Sequence, residues 1–121
     1  MKEPPPLKPV VWMADSLRVL RTFPKAVQQE MGYAVYLAQT GSKHLNAKPM
    51  KSFGPGVLEV ISDHHGDTYR AIYTLRLAGK IYVLHAFQKK SKRGIATPRS
   101  ELALIQQRLK RATELHTSQE N

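Results

Sequence analysis

Arg70 is the residue of this sequence whose type and position are most suggestive of chemistry. It lies in the segment YRAIYTL, between aromatic and aliphatic residues, where an arginine is unusual without a function. A guanidinium can bind a phosphate through two hydrogen bonds and can stabilise the negative charge that develops on a phosphorane. The structural alternative is an arginine that lies over the sheet or pairs with Glu59. We therefore treat Arg70 as the first candidate catalytic residue.

A basic cluster follows the next apolar segment. Lys89, Lys90, Lys92 and Arg93 lie within five positions of one another. Lysines in this position can hold a phosphate backbone, neutralise a transition state or transfer a proton. We predict catalytic roles for Lys89 and Lys90 and phosphate binding for Lys92 and Arg93. The alternative for each of them is a solvated basic segment.

Three histidines are further candidates, because imidazole titrates near neutral pH. His64 and His65, which are adjacent, and His85 are all candidates for general acid or base work, and His85 is also predicted to bind the same phosphate backbone as the lysines. The alternatives are an exposed turn for the pair and a hydrogen-bonded sheet residue for His85. With Asp63 and Asp67 the pair resembles metal ligands in composition, but the spacing matches no specific site, and we predict no metal or other cofactor.

A β-hairpin is expected to position these side chains. Two segments of alternating apolar residues flank a turn at Ala78 and Gly79. If Leu77 pairs with Lys80, Arg70 faces Phe87 across the hairpin, and alternation puts four candidates on one face: Arg70, His85, Phe87 and Lys89. Phe87 is then placed to stack on a base, or alternatively to pack in the core. The opposite face is predicted to be core, from these residues: Ala71, Tyr73, Leu75, Leu77, Tyr82, Leu84 and Ala86.

The remaining elements are predicted from periodicity and from helix-boundary residues. A short strand at 10–12 precedes a helix at 16–22 capped by Asp15, and a second helix runs from Pro24 to a stop at Gly41. Its apolar stripe comprises Val27, Met31, Ala34, Val35 and Ala38. Residues 42–56 are predicted to be loop, with Lys43, Lys48 and Lys51 exposed.

A second hairpin and a terminal helix complete the predicted fold. Residues 57–63 form a strand that returns through a turn at 64–67, which places Ile61 beside Arg70 and Glu59 beside Ile72. Thr97 and Pro98 begin the last helix, whose buried stripe comprises Leu102, Ile105, Leu109 and Ala112. The order β-α-α-β-β-β-α predicts an α+β fold: a small mixed sheet with two N-terminal helices and a C-terminal helix, packed mainly on one side.

Charge is concentrated in one part of the chain. The net charge is +10, and the segment from Arg70 to Arg111 holds 11 basic residues and one acid, Glu101, so that it accounts for the whole excess. This distribution favours a phosphate-binding surface over a uniformly solubilised protein, although an acidic protein partner is also attracted. The alternative is a solvated basic face.

Length and composition limit the remaining possibilities. We expect one domain over 1–121, with flexible ends at 1–8 and 114–121. The sequence has no cysteine, which excludes disulfides and thiolate chemistry. We expect a cytoplasmic protein without membrane contact, because no secretory signal or apolar segment of spanning length is present.

Three motifs together resemble the RelE/HigB superfamily of bacterial toxins, particularly its HigB-like, phage-associated branch. They are YR-x-x-Y at Tyr69–Tyr73, HAFQKK at His85–Lys90 and TP-x-x-E at Thr97–Glu101. The resemblance covers most of the chain. Arg70 matches the strand arginine of the superfamily, and Lys89 and Lys90 fall where its last strand supplies a basic residue. No tyrosine follows Tyr82, so the C-terminal catalytic tyrosine of the RelE type is missing here.

The resemblance implies a microbial-ribonuclease-like fold and metal-independent cleavage of mRNA on the ribosome, with the RNA 2′-hydroxyl as nucleophile. It implies a cognate helix-turn-helix antitoxin, and contact with operator DNA only through the complex with that antitoxin. His64, His65 and Lys92 fall near positions where other members use His or Lys. The residue that activates the 2′-hydroxyl is left open.

Two other functions fit the same residues. One is inhibition of DNA gyrase in the manner of ParE toxins, in which the basic surface binds a protein. The other is a nucleic-acid-binding module without catalysis. Candidate proton-transfer groups on the face of Arg70 favour cleavage.

Overall fold

A five-stranded sheet with strand order β1-β5-β4-β3-β2 forms the centre of the computed structural model, which describes residues 6–89 and 97–120. Strand β1 runs parallel to β5, and the other neighbours are antiparallel. This is the α+β class expected from the sequence. The elements are β1 Val10–Trp12, α1 Ser16–Leu20, α2 Lys25–Gln39, β2 Ala47–Pro49, β3 Val57–His64, β4 Asp67–Thr74, β5 Ile81–Lys89 and α3 Arg99–Glu120, with a 3₁₀ turn at Lys51–Phe53.

Helix α2 covers one face of the sheet, and the predicted stripe is confirmed. Its buried residues are Val27, Met31, Ala34, Val35 and Ala38, which recur at the spacing of one helical face. Pro24 precedes the helix, and Gly41 follows it at φ 89°, a conformation that glycine adopts without strain. The stripe packs on strand residues that point to this face: Tyr69, Ala71, Tyr73, Ile81, Val83 and Ala86.

Helix α3 covers part of the opposite face, so the prediction that the helices pack mainly on one side is wrong. Ile105, Leu109 and Ala112 are buried against Ile72 and Phe87, which point away from α2. The physical reason is that both faces of the central strands are largely apolar, since most of the buried residues at 69–74 of β4 and 81–87 of β5 are apolar. A strand that is apolar on both faces requires cover on both.

The β4–β5 register is as predicted over its first part and then shifts. Arg70 faces Phe87 and Ile72 faces His85, but Tyr73 then pairs with Val83 instead of Leu84. Leu84 is therefore the extra residue of a β-bulge, which turns the rest of the strand over. As a result, Tyr82 and Leu84 lie in the core beneath α3, whereas the sequence assigned them to the opposite face.

The β3–β4 hairpin has the predicted register. Ile61 faces Arg70, Glu59 faces Ile72 and Asp63 faces Thr68. The two residues of the turn, His65 and Gly66, both have positive φ, at 51° and 85°. Two consecutive residues of this kind form the turn whose twist matches a two-residue hairpin.

Residues 42–56, predicted to be loop, contain the short edge strand β2. Lys48 of this strand faces Glu59 of β3. The strand was missed because it has three residues and ends in Pro49, a residue that is rare within sheets. Lys43, Lys48 and Lys51 are exposed, as predicted.

The ends of two helices also differ from the predictions. Helix α1 stops at Leu20, and the Asp15 side chain before it makes no capping hydrogen bond. Helix α3 continues to Glu120, through most of the segment 114–121 that was expected to be flexible. His116 is buried there, and its Nδ1 atom lies 3.1 Å from the hydroxyl oxygen of Tyr82.

Candidate functional site

Arg70 is buried at the point where β3, β4 and the start of α3 meet. Its side chain is 4% exposed, and its Nη1 atom donates hydrogen bonds to Glu59 Oε2 and to Thr97 Oγ1, each at 3.2 Å. The structural alternative, in which Arg70 pairs with Glu59, is therefore confirmed. By register, the guanidinium lies on the same side of the sheet as α3.

Glu59 lies at the boundary between the covered and the open part of this face. The Glu59 side chain is 15% exposed and therefore keeps some access to solvent. Its ion-pair partner Arg70 is more deeply buried. Directly across the β2–β3 pair is the exposed Lys48. A carboxylate that lies between a buried guanidinium and an exposed ammonium is a group that can accept or relay a proton close to positive charge.

An open depression of about 380 Å³ adjoins Lys48, which faces Glu59; Glu59 and Arg70 are not among the residues that line it. Its lining includes Lys48, Ile61 and Asp63, together with Glu30 and Asn46 at the edge of the sheet. By register, Lys48, Ile61 and Asp63 share the face of Arg70. The part of this face over β2 and β3 is thus accessible to a ligand, whereas α3 covers the part over β5.

His85 forms a second polar centre on the same face. Its Nε2 atom is hydrogen-bonded to Glu101 Oε2, and Arg108 Nη1 donates to its Nδ1 at 2.7 Å. A guanidinium can only donate, so Nδ1 is the acceptor and the ring proton is on Nε2, directed at Glu101. The His85 side chain is 6% exposed, and its contacts with Glu101 and Arg108 place it beneath α3.

Arg108 extends this centre to the start of α1. Besides His85, its Nη1 atom donates to the carbonyl oxygen of Leu84 at 3.2 Å, and its Nη2 atom forms an ion pair with Asp15 at 2.8 Å. Asp15, Arg108, His85 and Glu101 therefore form one continuous network, which joins α1, β5 and α3. The Asp15 carboxylate is used in this network and not as a helix cap.

Phe87 lies in the core beneath α3. It is 7% exposed, packs with Ile105 and Leu109, and stacks on the ring of His85 at a centroid distance of 5.4 Å. Its burial favours the core-packing alternative over stacking on a base.

Lys89 remains at the edge of the face. It is half-buried and faces Thr68, two residues along β5 from Phe87, and so shares the face of Arg70 as predicted from the register. Lys90, Lys92 and Arg93 lie outside the described residues.

The structure does not bring His64 and His65 together with Arg70. His64 faces Asp67 at the end of the hairpin, three residues from the Ile61–Arg70 pair, which corresponds to about 10 Å along the strand. Alternation also directs His64 to the face of α2. The two rings contact each other edge to face at 4.2 Å. Within residues 6–89 and 97–120, no group of three acidic or histidine side chains is placed to hold a metal ion.

Four residues of the site were not predicted as site residues: Lys48, Glu59, Thr97 and Glu101. The register of β3 and β4 carried the signal for Glu59, because it placed that residue one row from Arg70. Thr97 and Glu101 were interpreted only as the start of a helix, and Lys48 as part of a loop. Helix α3 brings Thr97 and Glu101 to the sheet, and that packing was not predicted.

The comparison with protein families identifies the chain. Residues 18–110 match the profile of the family described as phage-derived protein Gp49-like (DUF891). The chain belongs to this Gp49-like family. The family comprises RelE/HigB-like toxins of toxin–antitoxin systems, so membership indicates a toxin with an antitoxin partner. A search of the curated proteins found no match.

The match to the Gp49-like family spans both polar centres. It begins within α1 and ends within α3, at Lys110, and therefore includes Arg70 with Glu59 and His85 with Arg108. In the part of the chain that the structure describes, no helix is both long and apolar enough to cross a membrane.

Proposed function

We propose that this Gp49-like protein is a HigB-like toxin that cleaves mRNA on the ribosome. The observation that carries the proposal is the Arg70–Glu59 pair, because it holds a partly exposed carboxylate beside an open depression on a face that also presents Lys48 and Lys89. Such a face provides both a proton acceptor and positive charge to a phosphodiester. The basic cluster of Lys89, Lys90, Lys92 and Arg93 supports a polyanionic substrate.

The proposed reaction uses the RNA as its own nucleophile. Glu59 accepts the proton of the 2′-hydroxyl, the 2′-oxygen forms a bond to the adjacent phosphorus, and the bond from phosphorus to the 5′-oxygen breaks. Lys89 donates a proton to the leaving 5′-oxygen. Arg70 orients Glu59 and adds positive charge beneath the phosphorane, while Lys48 binds a phosphate oxygen from the open side. No metal ion is required.

The other predicted residues take different parts in this proposal. Lys90, Lys92 and Arg93 bind the RNA backbone beyond Lys89. His64 and His65 contact the RNA strand away from the cleaved bond, because the hairpin places them about 10 Å from Arg70. His85 and Phe87 keep α3 in place over the sheet and do not contact bases, since both are buried.

The substrate and partners follow from the family and the resemblance. We propose that the RNA is presented by the ribosome, because few groups that could read bases line the open depression. We further propose that the antitoxin is a helix-turn-helix protein and that the toxin contacts operator DNA only through it. These assignments extend the antitoxin partner that family membership indicates.

Primer extension on cellular mRNAs after brief production of the protein without antitoxin tests the proposal. We expect new 5′ ends inside translated regions, which disappear when translation is blocked and when Arg70→Ala is produced instead. Arg21→Ala is the matched control, because Arg21 is an exposed arginine of the described chain away from the site.

Two outcomes would contradict the proposal. Growth arrest with DNA damage signalling and without new 5′ ends would indicate inhibition of gyrase. Cleavage by Arg70→Ala at the wild-type rate, with the variant shown to be folded, would show that Arg70 has no role in catalysis.

A further inference from the structure

A groove runs along the solvent side of α3, separate from the Arg70–Glu59 pair. Its volume is about 640 Å³, and the turn after β1 forms its other wall. We call it the α3 groove. Its apolar floor comprises Met13, Leu104 and Leu115, and its basic rim comprises Arg108, Lys110 and Arg111.

The dimensions of the α3 groove fit a helix. The groove residues on α3 extend from Leu104 to Leu115, which corresponds to about 16 Å along the helix axis, or three turns. They recur at intervals of three and four residues and so form a stripe on one side of α3. A three-turn amphipathic helix can place its apolar side against such a stripe.

The charge of the α3 groove favours a ligand of negative charge. Three basic residues line it; Glu114 lies 3.6 Å from Arg111 and Asp15 pairs with Arg108, so that these two acids offset two of the three positive charges and leave that of Lys110. The remaining positive charge favours an acidic segment. An RNA backbone has the same sign of charge but no apolar side, so the apolar floor favours a protein.

We propose that the α3 groove binds an acidic, amphipathic helical segment of a partner protein. The identification of that partner as the antitoxin rests on the proposed function. The description of the groove and of its chemistry does not depend on that function. Arg108 connects the groove to the interior, because it lines the groove and also contacts Asp15 and the buried His85. A carboxylate of the partner can compete with Asp15 for Arg108. Binding in the groove would then change the hydrogen-bond network that holds α3 on the sheet.

NMR titration of the full-length, ¹⁵N-labelled protein with designed peptides tests this inference. One 16-residue peptide carries leucine at helical spacing and glutamate elsewhere, and its counterpart carries lysine in place of glutamate. We expect the acidic peptide to shift the amide signals of Ala14 and of residues 104–115 saturably, and the basic peptide to leave them unchanged at the same concentration.

Charge-reversal variants provide the matched comparison. The double variant Lys110→Glu/Arg111→Glu is expected to weaken binding of the acidic peptide by about tenfold. Lys25→Glu/Lys43→Glu makes the same change in net charge at exposed positions of the other side and is expected to bind like the wild type. Equal weakening by both double variants, or shifts confined to the region of Lys48, would overturn the inference.

Two other occupants would also overturn it. One is RNA, if a 12-nucleotide single strand shifts the groove signals more strongly than the acidic peptide does. The other is a second copy of the chain, if the groove signals depend on protein concentration. The proposed function is tested by a separate measurement of mRNA cleavage in the absence of a partner, and Lys110→Glu/Arg111→Glu is expected to cleave like the wild type there. A failure of the wild type to cleave would leave the result of the peptide titration intact.

Discussion

The two faces of the sheet are packed in different ways. The α2 face is built mainly from apolar side chains, and among the described residues the Tyr73 hydroxyl is buried there without a hydrogen-bond partner. The α3 face combines an apolar cluster with two buried polar centres, around Arg70 and His85. Buried ion pairs add little net stability compared with apolar residues of similar size. The contrast is consistent with our proposal that the polar part of the α3 face around Arg70 serves function, whereas the α2 face serves stability.

Breaking the His85 centre should have the largest effect on stability. His85→Phe removes the acceptor of Arg108 and the donor to Glu101, and we expect it to lower the free energy of unfolding by about 3 kcal/mol, because two charged groups lose a buried partner. Urea denaturation measures the change. Adding Glu101→Leu should recover part of the loss, since one of those groups is then removed.

The control for this prediction lies on the same helix. Glu114→Gln changes an exposed glutamate of α3 and should alter the free energy of unfolding by less than about 0.5 kcal/mol. If His85→Phe were as stable as Glu114→Gln, the contrast between the two faces would be lost.

Tyr73 tests the α2 face. Its side chain is 1% exposed, and among the described residues its hydroxyl has no hydrogen-bond partner. Tyr73→Phe should therefore leave stability at neutral pH unchanged or raise it by about 1 kcal/mol, because it removes a buried polar group that has lost its hydration. Thermal denaturation measures this change, with Tyr33→Phe on the exposed side of α2 as the control.

The pH dependence of stability provides a second test of the burial of the Tyr73 hydroxyl. Burial raises the pKa of Tyr73 to about 12, so the folded state keeps a proton that the unfolded state releases near pH 10. The stability that comes from this proton is present below pH 10 and is lost as the pH rises to 12, by about 3 kcal/mol in total. Tyr73→Phe should lose less stability over this range. Titration of all five tyrosines together near pH 10 would contradict the prediction.

The turn at His65 should show the smallest effect. His65 has φ 51° and precedes Gly66, and asparagine adopts this conformation more readily than histidine does. We expect His65→Asn to raise the free energy of unfolding by about 0.5 kcal/mol, as measured by urea denaturation. Because His65 lies away from the Arg70–Glu59 pair, cleavage by His65→Asn should remain within a few-fold of the wild type. A loss of cleavage activity as large as that of Arg70→Ala would indicate that His65 is a catalytic residue.

The sequence predicted the elements whose period is regular. The stripe of α2 follows from residues such as Val27 and Met31 at helical spacing, and the β3–β4 register follows from the turn at His65 and Gly66. The bulge at Leu84 was not predictable, because no glycine or proline marks it. Strand β2 was too short to show a period.

Burial of the site was the main feature that the sequence did not reveal. A basic residue in a strand indicates exposure, yet Arg70 is buried because Glu59 and Thr97 satisfy it. Thr97 comes from a segment 27 positions away, and no local pattern links the two residues. Glu59 was placed on the face of Arg70 by the β3–β4 register and was considered as its partner, but it was not predicted as a catalytic residue; Lys48 was assigned to a loop.

Single-turnover cleavage of mRNA on purified ribosomes tests the central claim most directly, with wild type, Glu59→Gln and Glu30→Gln compared under the same conditions. Glu59→Gln keeps the side-chain shape but cannot accept the proton of the 2′-hydroxyl at neutral pH, so we predict a fall in rate of about 100-fold or more. Glu30 lines the same depression but lies off the Arg70 face, and Glu30→Gln should cleave like the wild type. Cleavage by Glu59→Gln at the wild-type rate would contradict the claim that the Arg70–Glu59 pair is the catalytic centre.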